Sequence, residues 1–581
     1  MRWMSPSSES VRPDGHDATG DPMSDPSDDP SGQDDAELRR GSSLVALGIL
    51  GSRLTGLVRE IATARFLGTG PGAEAFKAAL RIPNLLQNLL GEGVLSASFV
   101  PVYSRLIAEG RDEDAGRLAG AIAGLLILIT AVIVTVAVVF ARPITRIIAF
   151  GFEPGGERFE LTVTLVRIIT PGVGLLVLSA WCLGILNSHR RFFLSYIAPV
   201  LWNLAIIGSL VGAVLFVTTD ELGLATAMGI GALVGSVLQF AVQFPTVRRL
   251  VPHLRLSLRL DADGVRTVIS RFGQVLAGRG SVQLGSYVDL FAASLLAVGG
   301  VAAVTYAQSL YLLPIALFGM SVAAAELPAL STMDHTDRVR IVSRLDAGLG
   351  RVAFFVLPTA VAFIVAGNLV VTLLFQGRSF SADASIQVGA ILSVYAVGMV
   401  ASTGSRLLQS VLYGSGDART PAIYATIRVV VAAVIGITVM LPLDSIQAGV
   451  DGFAVVDDIG WSIADVEDRR APESLLRLGG AGIAVGAVIG AWCEFALLRT
   501  RVRVLYGRVQ PLGLHGRALL SSALGAAAVG LVARWVVGTT DIPIRLDALV
   551  VLAAVGTTYL LLTRAQGVPE ARELLQRVSR G

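Results

Sequence analysis

From Gly48 to Gly68 the chain reads Gly-Ile-Leu-Gly-Ser-Arg-Leu-Thr-Gly-Leu-Val-Arg-Glu-Ile-Ala-Thr-Ala-Arg-Phe-Leu-Gly. Arg53, Arg59, Glu60 and Arg65 stand in a stretch that is otherwise small or apolar. An ionisable group inside a segment of membrane length is expensive, so each must meet a partner, water or a ligand. Arg53 and Glu60 are seven residues apart and share a helix face, whereas Arg59 lies about 120° from Arg53. Gly48, Gly51 and Gly56 permit a bend or a close approach. Two readings stand side by side. An Arg–Glu pair ties this helix to its neighbour, or the arginines form a cationic surface for an anionic headgroup. Arginine suits phosphate because its planar fork binds two oxygens and stays charged when buried.

Other ionisable residues fall in apolar surroundings: Glu74, Lys77, Arg81 and Glu92, then Arg279 and Asp289, then Glu326. Further along come Arg406, Arg428 and Glu494. Arg81, Arg406 and Arg428 read more readily as structural partners than as ligand contacts. Cys182 and Cys493 sit in apolar runs and read as small buried hydrophobes. The five histidines are scattered. No metal-ligand spacing, phosphate-binding loop, nucleophile elbow or zinc-protease motif occurs, so no catalytic residue, metal or cofactor is expected.

The elements that must hold these residues follow from composition. Of 581 residues 53% are hydrophobic and 16% charged, against roughly 25% charged in a soluble domain. Apolar runs of about 18 or more residues recur. This excludes a soluble enzyme, a secreted disulfide scaffold and a nucleic-acid binder. The fold class expected is an all-α polytopic membrane protein with about fourteen spans. They lie near 43–67, 74–104, 115–141, 160–187, 193–217, 222–247, 268–297, 300–330, 347–375, 384–413, 420–442, 478–498, 517–538 and 545–564. Pro83, Pro171, Pro199, Pro314 and Pro358 sit inside spans and should kink them.

Residues 1–40 are rich in Asp, Ser and Pro; ten acids against four arginines give net −6, and they read as a disordered acidic tail. Weak echoes at an offset of six spans, such as Ile82–Pro83 with Leu313–Pro314, suggest two six-helix lobes in parallel repeat. The expected units are an N-lobe over 41–260, a C-lobe over 261–510 with a polar outside loop at 443–476, two extra spans over 511–566, and a tail over 567–581. Alternate loops carry the arginines: Arg190 and Arg191, Arg248 and Arg249, Arg338 and Arg340, Arg501 and Arg503. That bias places both termini in the cytoplasm.

The stretch Ser52 to Gly68 closely resembles the first helix of the MurJ/MviN family, lipid II flippases of the multidrug/oligosaccharidyl-lipid/polysaccharide exporter superfamily. The likeness continues through Glu74 to Gly93, through Ser98-Phe-Val-Pro101 and Leu186-Asn-Ser-His-Arg-Arg-Phe192, and at Pro199 and Asn203. It recurs at Tyr306-Ala-Gln-Ser-Leu310 with Pro314, and from Tyr413 to Pro421.

The resemblance implies a flippase of the bacterial cytoplasmic membrane that works by alternating access. Its substrate would be a polyprenyl-diphosphate-linked glycopeptide. Membrane lipids and peptidoglycan synthesis proteins would be its partners, with no nucleic acid. Arg53 and Arg59 match family cavity arginines that accept the pyrophosphate, and Glu92 a family acidic position. Asn84 falls within the second-helix motif. Gln87 and Ser309 stand where the family has cations, and Arg81 and Arg279 are the candidate replacements. Asp289 matches one half of a cation site found in some relatives, but the eleventh span lacks its counterpart. The last two spans would form a groove for the lipid tail. The alternatives are a flippase for another polyprenyl-linked glycan, a cation-coupled drug exporter, or a non-transporting scaffold.

Overall fold

The computed structural model describes residues 30–578 apart from 262, 320–336, 418, 451, 457–459, 462, 464–476 and 541–542. The side chains of 30–47, 49, 92, 274, 277–284, 286, 319, 577 and 578 lie outside the description. In chain order the helices are α1 Pro30–Leu67, α2 Pro71–Leu90, α3 Glu92–Ser98, α4 Val100–Ala108, α5 Asp112–Val139, α6 Ala141–Ile148, α7 Glu157–Ser188, α8 Phe192–Phe216 and α9 Glu221–Leu250. Then follow α10 Val265–Ser294, α11 Gly300–Pro314, α12 Arg338–Phe375, α13 Ala382–Val397, α14 Met399–Gly414 and α15 Arg419–Asp444. After a hairpin of β1 Ile446–Gly449 and β2 Gly452–Val455 come α16 Gly479–Leu505, α17 Gly516–Val537, α18 Ile544–Ala565 and α19 Pro569–Val578.

The packing repeats. In the first half α1 packs on α8, α2 on α7, α7 and α8 on α9, and α5 on α7. In the second half α10 packs on α15, α11 on α13, α13 to α15 on α16, and α12 on α13. Each pairing recurs six spans later, so the chain builds two like bundles in parallel. The pair α17 and α18 lies outside both and packs on α12. Small residues set the closest approaches, because between helices in lipid the gain comes from packing rather than from expelling water. Gly482, Gly486 and Gly490 of α16 face the backbone of α15, and Gly231 and Gly235 of α9 face α8.

Eleven described helices are long and apolar enough to cross a membrane, or twelve if the pair α13–α14, bent by 42°, counts as one. The count of about fourteen spans is therefore not reached on length and apolarity alone. Two further long helices fall short: α1, with its four ionisable residues from Arg53 to Arg65, and α10. The first helix also begins at Pro30, so the boundary drawn at residue 41 falls inside it.

The prolines act unevenly. Pro83, Pro171, Pro199 and Pro358 lie inside continuous helices. Pro314 ends α11, where the chain passes into a π-helical turn at Ile315–Gly319. The break in α12 comes at Ala366 (φ −130°, ψ 25°), away from its proline. The loop expected at 443–476 opens with the antiparallel hairpin, which is pinned when Val450 N–H donates to Asp383 Oδ1 at 2.8 Å.

Candidate substrate cavity

Residue depth follows from helical rise. At 1.5 Å per residue, Arg59 lies about 12 Å from the Leu67 end of α1 and Arg53 about 21 Å from it. Arg81 lies about 15 Å into α2 and Gln308 about 12 Å into α11, from the same end of the molecule. Arg406 and Arg428 lie about 12–14 Å from the opposite end, where α14 stops at Gly414 and α15 starts at Arg419. The interior ionisable groups thus form two layers, one nearer each end.

In the first layer every described charge has a partner. Glu60, 7% exposed, accepts from the Lys77 ammonium of α2 and from Arg59 Nη2 at 2.8 Å. Arg59 Nη1 donates to Asn203 Oδ1 of α8 at 3.0 Å, and its guanidinium lies 5.2 Å from the Trp202 ring centre. Lys77 in turn sits 4.5 Å from the Tyr306 ring centre of α11. Arg59 therefore turns toward the α1–α8 contact, about 120° from Arg53 as the helix dictates. Beside this group, Arg81 Nη2 donates to Gln308 Oε1 at 3.2 Å. Gln308 Nε2 donates to Asp289 Oδ2 at 3.1 Å and approaches the Tyr395 hydroxyl at 3.0 Å. The Tyr287 hydroxyl caps the Arg81 carbonyl at 2.9 Å. One glutamine thus joins α2, α10, α11 and α13 across the two bundles.

The second layer differs. Glu494 of α16 has a partner on each oxygen: Arg428 Nη1 donates to its Oε2 at 3.0 Å and Gln409 Nε2 to its Oε1 at 2.8 Å. Arg53 and Arg406 are exposed and make no hydrogen bond or ion pair among the described residues. Arg53 shares its helix face with buried Glu60, so it points inward and not to lipid.

The other expected residues are placed as follows. Asn84 is exposed and Gln87 half-buried. Ser309 Oγ donates back to the Thr305 carbonyl of its own helix at 2.9 Å. The side chains of Glu92 and Arg279, and all of Glu326, lie outside the described residues. Among the described residues no group of three or more His, Cys, Asp or Glu side chains could hold a metal ion, and Asp289 is engaged by Gln308. Gln308 gives no charge signal in the sequence, because a neutral amide inside Tyr306-Ala-Gln-Ser-Leu310 does not reveal that it joins four helices. The choice of Arg428 and Gln409 as the partners of Glu494 likewise depends on packing and cannot be read along the chain.

A sequence profile described as lipid II flippase MurJ matches residues 63–455. A probable lipid II flippase MurJ of Rhizobium tropici is 31% identical over 392 residues, covering 67% of this chain and 73% of its own. A lipid II flippase MurJ of Burkholderia cenocepacia is 31% identical over 397 residues, covering 68% and 76%. Among solved structures, a lipid II flippase MurJ in an inward closed conformation superposes with a TM-score of 0.71 at 20% identity, covering 92% of this chain and 99% of its own. An inward-facing multidrug-resistance transporter of the MATE family superposes with a TM-score of 0.58 at 18% identity, covering 78% and 95%. At those identities the likeness to solved structures speaks for the fold alone.

Proposed function

We infer what the molecule does from one premise: the chain belongs to the MurJ family of lipid II flippases. It is a multi-pass protein of the bacterial inner membrane that moves lipid II, a polyprenyl-diphosphate-linked glycopeptide, across the bilayer. Family membership over residues 63–455 carries this reading. The interior arginines fit it, because a diphosphate crossing the low-dielectric core needs fixed cations to replace its water.

Arg53 is the cavity cation that meets the diphosphate, while Arg59 holds α1 in place for it. Arg81 reaches the same space through Gln308. Asn84 and Gln87 line its wall on α2, and Ser309 of α11 belongs to the same space; Glu92 and Arg279 are assigned to it from the family resemblance alone. The lipid tail stays in the bilayer against α17 and α18. Their exposed faces carry Leu524, Val532, Trp535 and Leu549. The arginine-rich loops and both termini lie in the cytoplasm, and the two bundles rock to expose the cavity to each side in turn. No bond is made or broken. A drug exporter would favour acidic cavity residues, which the unpaired Arg53 opposes.

The decisive test depletes the protein and measures which leaflet holds lipid II. Accumulation in the cytoplasmic leaflet, relieved by the wild-type chain, is the expected result. An unchanged distribution rejects the reading. The Arg53→Ala variant should express normally and fail to relieve the block.

A further inference from the structure

The loop between α15 and α16 builds a two-stranded sheet with one edge filled and the other open. Val456 N–H donates to the Ser445 carbonyl at 2.9 Å, so these two residues form a hydrogen-bonded pair. In an antiparallel ladder such pairs alternate with pairs that turn their backbone groups outward. Ile446 stands opposite Val455 and Ala448 opposite Phe453, and these are the outward-turned pairs. On the β1 side the outward groups are met: Leu478 N–H donates to the Ile446 carbonyl at 2.8 Å, and Gln447 bridges to Arg477. The Arg477 carbonyl accepts in turn from buried Gln387 of α13 at 2.7 Å. On the β2 side the N–H and C=O groups of Phe453 and Val455 have no hydrogen-bond partner among the described residues.

The side chains mark the same edge. Phe453 is 75% exposed and Val455 63%, and alternation puts both on the face that carries Ile446 and buried Ala448. Gly452 and Ala454, on the other face, are small and exposed. Edge strands are ordinarily guarded by a charge or a proline within the strand, and Gly-Phe-Ala-Val has neither. The sheet is also fixed in place, since Val450 N–H donates to Asp383 Oδ1 of α13 at 2.8 Å.

Charge selects what can fill this edge. In the sequence Asp451 precedes β2, and Asp457 and Asp458 follow it after Val456; over 446–476 there are seven acids and two arginines. A second copy pairing edge to edge would bring acids to acids in either strand direction. Lipid would strip water from the outward N–H and C=O groups and give them no bond in exchange. A basic chain in extended form meets every requirement. Its backbone completes the ladder, apolar side chains at alternate positions cover Phe453 and Val455, and cations at its ends meet the acids.

We propose that the open edge of β2 is a docking site for an extended, basic segment of a partner protein, bound by strand addition. In the orientation proposed above, that partner lies on the outer side of the membrane. The site itself is independent of what the chain transports.

The test uses the full chain in lipid nanodiscs and a synthetic peptide of alternating Val and Thr with Lys at both ends. The peptide should bind, slow amide exchange at Phe453 and Val455, and bind less tightly as salt rises. The same peptide with Glu in place of Lys, or with alternate backbone amides methylated, should bind about tenfold more weakly. Val455→Pro removes an outward N–H and no bond to β1, so it should also cost about tenfold in affinity, whereas Val455→Thr should keep it. Replacing both acids after β2, Asp457→Asn with Asp458→Asn, removes charge without touching the ladder. It guards against a misfolded proline variant and should narrow the gap between the Lys-ended and Glu-ended peptides.

Absent binding, equal affinity for the two peptides, or full affinity in Val455→Pro overturns the docking site. Slow exchange of both amides before any peptide is added means that the chain already fills its own edge, and overturns it too. So does quenching by brominated lipid of a fluorophore carried at Phe453→Cys, which assigns the hairpin to the bilayer. If the peptide binds as expected while lipid II stays where it was on depletion, the docking site stands and the flippase reading falls.

Discussion

Arg53 and Arg59 are six residues apart and do different work. Arg59 spends its donors on Glu60 and Asn203. Arg59→Ala leaves the Asn203 carbonyl oxygen without its guanidinium donor and Glu60 with Lys77 alone. Lost charge-assisted hydrogen bonds of this kind cost about 1.5–3 kcal/mol each, so this variant should melt clearly below wild type. Arg53→Ala breaks no described bond and should melt within a degree or two of wild type while losing transport. If the two variants melt alike, the division of labour is wrong. At the loop after α14, the Thr420 hydroxyl at 2.6 Å and backbone N–H at 3.0 Å, with Arg501, hold the Asp417 carboxyl below the usual carboxylate range. A depressed carboxyl favours the fold above its unfolded value of about 3.9 and loses that contribution as pH falls through the folded value. The protection of the Thr420 amide, its exchange rate taken relative to the intrinsic rate at each pH, should therefore fall on acidification below about pH 4, and Asp417→Asn should flatten the change. The sequence disclosed which side chains needed partners. It did not disclose which partner each would choose, because Glu60, Lys77 and Asn203 come from three helices, and Glu494 joins Arg428 only through the packing of α15 on α16.

The helices themselves were largely legible, since runs of apolar residues of bilayer length leave few alternatives once backbone groups must bond within their own segment. What escaped notice lies where that rule is locally broken. The bend between α13 and α14 at Gly398 falls in a run expected to be one span, and the hairpin at 446–455 is too short to stand out from its polar loop. The break at Ala366 has its own remedy. A broken helix frees carbonyls from their usual donors. The carbonyl of Val365, just before the break, accepts from Arg534 Nη1 of α17 at 2.6 Å. Gly530, one turn earlier on α17, faces the same Val365, so the two helices lie close there. This arginine ties the C-terminal pair to the second bundle. Arg534→Met keeps the apolar stem and removes the donor; it should lower stability by about 1–3 kcal/mol in a denaturant titration. Arg534→Lys should recover part of the loss. Equal stability of Arg534→Met and wild type would mean that the carbonyl finds another donor.

At the scale of the molecule, the two bundles are stitched together at the Leu67 end. Glu74 of α2, fully buried, accepts from the backbone N–H of Val301 in α11 at 2.8 Å and pairs with Arg158 of α7 at 2.7 Å. The Tyr306 hydroxyl donates to the Gly68 carbonyl at 2.9 Å, and Ser379 N–H to the Arg65 carbonyl at 2.9 Å. Gly68 adopts φ +61° and a side chain there would run into the Ser379 carbonyl, so glycine lets the two bundles meet. Alternating access requires these links to part while each bundle stays whole. Glu74 is the costliest of them to open, because a buried carboxylate, a guanidinium and an N–H all lose partners together. Glu74→Ala makes separation easier, since the carboxylate that binds the bundles is gone in both states. Each 1.4 kcal/mol removed from the difference between the states multiplies the separated population about tenfold. A cysteine placed at Ser309 should then react several-fold faster with an impermeant reagent added from the Leu67 side. Glu74→Gln, which keeps one acceptor for Val301, should fall between. Unchanged labelling in both variants would shift the seal to the apolar contacts of Tyr306 with Phe375 and Phe380, whose ring centres lie 5.3 and 5.8 Å away. In that case enlarging Gly68 to alanine, which forces the bundles apart at their tightest approach, should raise labelling where the loss of Glu74 did not.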